Sequence, residues 1–156
     1  MENFDLQAYW DAVLRQDAQA METFLAPNAV VNWHCTNESF TAAEFVRANC
    51  EYPGQWEGEI QRVEPIPGGI AAVVHVYSAD RALSFHAVAF VRLTDGKITQ
   101  LDEYWGDDGP APQWRQDKNI GRKIRDCPRI PPDIFGNEKL PRARRGSGML
   151  LEKAIT

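Results

Sequence analysis

A turn flanked by two strand-like runs constrains this chain most. Thr94-Asp95-Gly96 separates residues 83–93 from residues 98–105. A short loop with glycine at its left-handed position, set between apolar runs, predicts a β-hairpin. Successive side chains of a strand point to opposite faces. Leu101, Glu103 and Trp105 therefore share one face of the returning strand, and Asp102 and Tyr104 share the other. A carboxylate between two large apolar groups is misassigned to that face, paired or functional, because burying an unpaired charge is costly. A three-residue loop sets Leu93 against Lys97, Ala89 against Leu101, Ala87 against Glu103 and Phe85 against Trp105. The Glu103 face then collects Phe85, Ala87, Ala89, Val91, Leu93, Leu101 and Trp105, an apolar wall with small residues near the acid. The other face collects His86, Val88, Phe90, Arg92, Ile98, Gln100, Asp102 and Tyr104. It is half apolar, which predicts contact with a second copy of the chain. A two-residue loop would instead set Val88 opposite Glu103.

The rest of the chain falls into helices first and strands after. Phe4, Leu6, Tyr9, Trp10, Val13 and Leu14 recur at helical spacing, predicting a helix over residues 3–17. Asp17 is a candidate N-cap for a short helix over 18–25. Residues 29–33 suggest a short strand. Thr41-Ala42-Ala43-Glu44 has the spacing of a capping box opening a third helix to about residue 50. Strands are expected over 57–64, 70–77, 83–93 and 98–105, with a turn-rich joint at 65–69. The expected fold is α+β: three N-terminal helices packed on a strongly curved antiparallel sheet that encloses a pocket.

Charge divides the chain. Residues 1–114 carry 6 of the 17 basic and 17 of the 22 acidic residues, and residues 115–156 carry the reverse excess. The expected organisation is a domain over 1–108, an edge-covering extension over 109–126, and a basic, proline-rich tail over 127–156 with little to bury. Trp114, Ile120 and Ile124 would anchor the extension. Arg142, Arg144 and Arg145 form a small basic run, but without interleaved aromatics and beside an acidic body they argue against nucleic acid. No apolar run reaches the ~20 residues of a membrane helix. The acidic N-terminus lacks the features of a signal peptide, which predicts a cytoplasmic protein. The three cysteines, Cys35, Cys50 and Cys127, match neither a disulfide framework nor a zinc ribbon.

Several segments resemble the nuclear transport factor 2-like superfamily, and its SnoaL-like branch in particular. They are residues 9–17 (Tyr9-Trp10-Asp11 onward), 24–30, 41–45, 90–98 and Glu103-Tyr104-Trp105. The branch includes polyketide cyclases and is related to ketosteroid isomerases. The resemblance spans about residues 3–106. It implies a cone whose open end is a pocket, usually in a dimer. It also places a catalytic acid or base at Glu103, where SnoaL-like cyclases carry an aspartate. The oxyanion-donating tyrosine of steroid isomerases aligns with Tyr9. Their general-base aspartate aligns with Trp33 and their second acid with Ala89, so ketosteroid isomerase chemistry proper is not expected.

The expected site therefore has Glu103 as acid/base, its pKa raised by an apolar setting, and Tyr9 as hydrogen-bond donor. Trp33, Val74, Phe85, Ala89, Leu101 and Trp105 would line the pocket, with His34 at its mouth. The ligand would be a small hydrophobic cyclic or carbonyl compound, transformed by proton transfer without a cofactor or simply bound. His75 and His86 are expected to face each other across two strands on the outer side. Asp102 would be the nearest acid there. Such a pair suits an interface better than a metal, and no metal is expected.

Overall fold

The structure, a computed structural model, describes residues 4–124. The expected tail at 127–156 lies outside them. Helix α1 (Leu6–Leu14) opens where the Asp5 carboxylate accepts from the Ala8 amide at 2.9 Å and buries Leu6, Tyr9, Trp10, Ala12, Val13 and Leu14. It ends before the expected residue 17 because Gln16 turns left-handed. The Gln16 side-chain amide then donates to the carbonyls of Asn49 and Tyr52 at 2.7 and 2.6 Å. Helix α2 (Ala18–Phe24) is capped by Asp17 as expected, and α3 (Ala42–Cys50) by a complete Thr41/Glu44 capping box. A short α4 (Gln113–Asp117) follows the sheet. Trp114, Ile120 and Ile124 are exposed, so they do not supply the apolar anchorage expected of the extension.

The six strands are β1 (Leu25–Trp33), β2 (Glu38–Thr41), β3 (Trp56–Ile66), β4 (Gly69–Ser78), β5 (Ser84–Thr94) and β6 (Lys97–Asp107). They form one sheet in the order β2-β1-β6-β5-β4-β3. Two expectations fail here. The sheet is open, with β2 and β3 as its edges, and is not curled into a strongly curved enclosure. It is also mixed, because β1 runs parallel to β6, with Trp33 beside Glu103. Strand β1 starts before the expected residue 29. Its pairing to β6 skips from Leu25 to Val30, and Pro27, which has no N–H to give a ladder, falls in the skipped stretch. Strand β2 was not expected; it is a short, mostly exposed edge strand without apolar alternation.

The central hairpin turns on two residues, not three. Asp95 and Gly96 both have positive φ, 51° and 71°, and Thr94 pairs with Lys97. This is the geometry that matches strand twist best. A bulge then opens between Leu93/Ile98 and Arg92/Gln100, adding Thr99 to β6. The shorter loop and the bulge together displace the expected register by two residues. Ala89 lies opposite Glu103, and Ala87 opposite Trp105. A two-residue displacement preserves faces, so Phe85, Ala87, Ala89, Val91, Leu101, Glu103 and Trp105 are all buried. Ile98 is the exception. It precedes the bulge and is buried rather than on the outer face.

The helices cover this inner face. Gly58 on β3 leaves room for both the neighbouring strand and α1, since a Cβ there would lie 2.8 Å from the His75 carbonyl of β4 and 3.3 Å from Leu14. The outer face keeps Val30, Val88, Phe90 and Tyr104 exposed at 36–44%.

Candidate functional site

Glu103 sits in the middle of the inner face and is 1% exposed. Strand pairing sets its neighbours: Ala89 opposite on β5, Trp33 alongside on β1, and Trp105 two residues on along β6. The Trp33 Nε1–H donates to Glu103 Oε2 at 2.8 Å, and the Trp105 Nε1–H donates to the same oxygen at 3.0 Å. Burial disfavours the charged carboxylate, while the two indole bonds favour it. Burial prevails, and the pKa rises from 4.5 to about 7.

The helices close over this group. On α1, the Trp10 ring meets Trp105 edge-on at 6.4 Å between centroids, and Tyr9 meets Trp10 at 5.6 Å. On α3, Phe45 meets Trp33 at 6.2 Å. Tyr9 is fully buried, and its hydroxyl has no hydrogen-bond partner among the described residues. Its pKa is raised well above 10, first by burial and then by the Glu103 charge. Tyr9 is therefore a neutral O–H donor within electrostatic reach of the carboxylate. The Trp10 Nε1–H is likewise buried without a partner. Both donors lie on the helix that covers Glu103.

Of the expected site residues, Tyr9, Trp33, Val74, Phe85, Ala89, Leu101, Glu103 and Trp105 are all buried in one continuous core. His34 is not with them. Its Nε2 lies 2.7 Å from Asp102 Oδ1 and its ring stacks on Tyr104 at 4.4 Å, on the outer face. Trp33 ends β1 facing inward beside Glu103, and His34 follows it with its amide still bonded to the Glu103 carbonyl at 3.0 Å, so its side chain falls on the outer face. The pairing expected of Asp102 also changes. It is held by His34, Asn32 and Gln100, while the acid beside His75 and His86 is Asp108. Trp10 and Phe45 were missed as members of the site. Trp10 shared the helical stripe already visible in the sequence, but nothing local set it against Trp105.

A separate cleft of about 320 Å³ opens between the α3–β3 loop and the β4–β5 turn, lined by Tyr52, Pro53, Gly54, Trp56, Asp80 and Leu83 among others. It shares no lining residue with the Glu103 cluster. Trp56 forms its inner wall and touches Phe85 at 6.0 Å between rings. The cleft's lining carries one carboxylate, Asp80, whose pKa is lowered, first by the Ser78 hydroxyl.

An open sheet covered by helices, with one buried carboxyl beneath α1, defines a small α+β protein of the nuclear transport factor 2-like class. The chain belongs to the SnoaL-like domain family, which matches residues 6–101. Solved structures of the same fold include a protein of Kribbella flavida provisionally described as a ketosteroid isomerase. It is 21% identical, with 90% of this chain and 91% of that one covered at a TM-score of 0.60. A nuclear transport factor 2-like protein of unknown function from Burkholderia xenovorans is 18% identical, with 76% and 91% covered at 0.62. A protein of Sinorhizobium meliloti, provisionally described as a polyketide cyclase, is 17% identical, with 62% and 89% covered at 0.50. None of the curated proteins matches the chain. No helix among the described residues is long and apolar enough to cross a membrane.

Proposed function

We propose that this protein performs cofactor-free acid–base chemistry on a small hydrophobic cyclic or carbonyl compound held against the inner face, with Glu103 as the proton carrier. The observation that carries this reading is a fully buried carboxyl whose pKa of about 7 leaves both protonation states populated near neutrality. The ionised form takes a proton from a carbon next to the carbonyl. Tyr9 donates its O–H to the oxygen on which charge develops. Glu103 then returns the proton to a different carbon, which makes the net change an isomerisation, or to a leaving hydroxyl, which makes it a dehydration. Trp33 and Trp105 hold Oε2, so the proton moves on the other carboxylate oxygen. Their rings, with that of Trp10, are flat and apolar, which suits such a compound.

The test is deuterium exchange next to the carbonyl of cyclic ketones and enones, followed by NMR in heavy water. The wild-type protein is expected to accelerate exchange, and Glu103→Gln to lower that rate by ~10²–10⁴-fold. Equal exchange rates for the two proteins overturn the assignment.

One observation favours a second reading, a non-catalytic ligand-binding module. Glu103 is the one carboxylate of the inner face among the buried residues, and a single acid held by two indoles also serves a purely binding role. Binding of the same ketones by both proteins with no exchange by either would select it. We also propose a homodimer through the outer face, where Val88, Phe90 and Tyr104 form an exposed apolar patch and Phe90 packs edge-on against Tyr104 at 6.2 Å. Val88→Glu or Phe90→Glu is expected to yield monomer by light scattering. A dimer that persists in both variants refutes this interface.

A further inference from the structure

We propose that His75, His86 and Asp108 form a binding site for a divalent first-row transition cation, zinc being the type, on the outer face of the sheet. This site is distinct from the Glu103 site. The sheet itself brings the three together. His75 and His86 are direct cross-strand partners, and their rings stack at 4.6 Å with 7° between planes. Asp108 follows the last residue of β6, and its amide donates to the Ser84 carbonyl at 3.0 Å, which carries the ladder one step further. Gly106 stands opposite His86, and a Cβ built there would meet nothing within 4 Å, so the space beside the rings is open.

One donor atom from each residue converges. The three atoms lie within 4.8 Å of one another. His86 Nδ1 is 2.5 Å from Asp108 Oδ1, and His75 Nε2 is 3.4 Å from Asp108 Oδ2. Ligands around a tetrahedral zinc stand about 3.3 Å apart, as its ~2.0 Å bonds require. His86 Nδ1 and Asp108 Oδ1 sit closer than this in the metal-free protein, so a bound cation spreads them. Ser84 Oγ donates to Asp108 Oδ2 at 2.6 Å and fixes the carboxylate.

The far side of the His86 ring is arranged as a ligating histidine needs, and a carboxylate stands near the far side of His75. Gln61 Oε1 lies 3.1 Å from His86 Nε2, and Glu59 Oε1 lies 3.8 Å from His75 Nδ1. Both are acceptors on β3. Gln61 can take the single proton of a neutral His86 and leave its Nδ1 lone pair free for the cation. His75 Nε2 lies 2.8 Å from Ser84 Oγ, whose own proton goes to Asp108 Oδ2, so the cation displaces the proton His75 holds there and the stacked rings turn to bring both nitrogens to it. Such outer partners set the tautomer and raise ligand basicity. Two imidazoles and one carboxylate select late first-row cations over Mg²⁺ and Ca²⁺, which prefer all-oxygen sets. Water completes the fourth position of this solvent-facing site.

The test is calorimetric titration of the full chain with Zn²⁺, with Mg²⁺ in parallel, and thermal denaturation with and without Zn²⁺. One Zn²⁺ per chain and a raised Tm are expected, with no response to Mg²⁺. Losing a ligand should cost at least what losing an outer partner costs, so His86→Ala and the nearly isosteric Asp108→Asn should each weaken Zn²⁺ binding by ~10-fold or more. Circular dichroism of the metal-free variants confirms that they fold. No Zn²⁺ binding by the wild-type chain, or equal affinity in the wild type and both variants, overturns the site. So does a response to Mg²⁺ that matches the response to Zn²⁺.

Discussion

The two faces of the sheet each hold a carboxylate between two nitrogen heterocycles, yet the pKa values move in opposite directions. On the inner face, Glu103 receives two indole N–H bonds and its pKa still rises to about 7. On the outer face, burial likewise pushes Asp108 upward. The hydrogen bonds from Ser84 and His86, with the charges of His86 and His75, together outweigh it, and the pKa falls below the ordinary value. Two differences account for the contrast. Glu103 is fully buried, whereas Asp108 is exposed and pays less for its charge. Indoles donate but never carry charge, whereas imidazoles can become cations and pair with the carboxylate. The same motif of a carboxylate between two heterocycles thus gives a raised pKa in the core and a lowered one at the surface.

The largest expected effect is the ~10²–10⁴-fold loss of ketone exchange in Glu103→Gln. It breaks the comparison if it fails, because the inner acid would then be no more reactive than the outer one. The next is a pH effect on stability with a fixed sign. The folded chain keeps the Glu103 proton to about pH 7, while the unfolded chain releases it near 4.5. The stabilisation is therefore complete below the unfolded value and is lost as pH rises through the folded one. The full span corresponds to about 3 kcal/mol. Urea midpoints of the wild type should fall between about pH 5 and about pH 8, and Glu103→Gln should remove this contribution to the slope. An identical slope in the two proteins would show that Glu103 titrates in the folded state as it does in the unfolded chain.

How much of this was legible depended on whether a feature was local. Alternation along β5 and β6 placed Glu103, Ala87, Ala89 and Trp105 on one face, and that survived a register error of two residues because the period of a strand is two. The register itself was not legible, since nothing in Gln100-Thr99-Ile98 announces the bulge. The Asp17 cap and the Thr41/Glu44 box were legible because capping is chemistry within three residues. The parallel pairing of β1 with β6 joins segments about seventy residues apart. Without it, the indole bond from Trp33 and the outward turn of His34 had no basis. Asp108 was overlooked because β6 was ended at Trp105. Extending the alternation from Asp102 through Tyr104 and Gly106 would have put it on the His86 face, and the observed register brings it beside that ring.

The smallest expected effect sharpens the contrast most, because it applies one chemical change to both faces. Asp108→Asn keeps the shape of the side chain and removes its charge, as Glu103→Gln does inside. The Asp108 pKa is lowered in the fold, so its stabilisation is present above the ordinary carboxylate value and is lost as pH falls through the folded one. Neutralising it should therefore destabilise the metal-free protein near neutrality. The loss should stay below about 1 kcal/mol, because exposed pairs are screened by solvent. At mildly alkaline pH, Glu103→Gln should act with the opposite sign, since it removes a charge that the core holds at a cost. Denaturant midpoints of the two variants in one alkaline buffer, without added metal, test this directly. Midpoints that shift in the same direction would mean that burial, rather than the choice between indole and imidazole, governs both carboxylates.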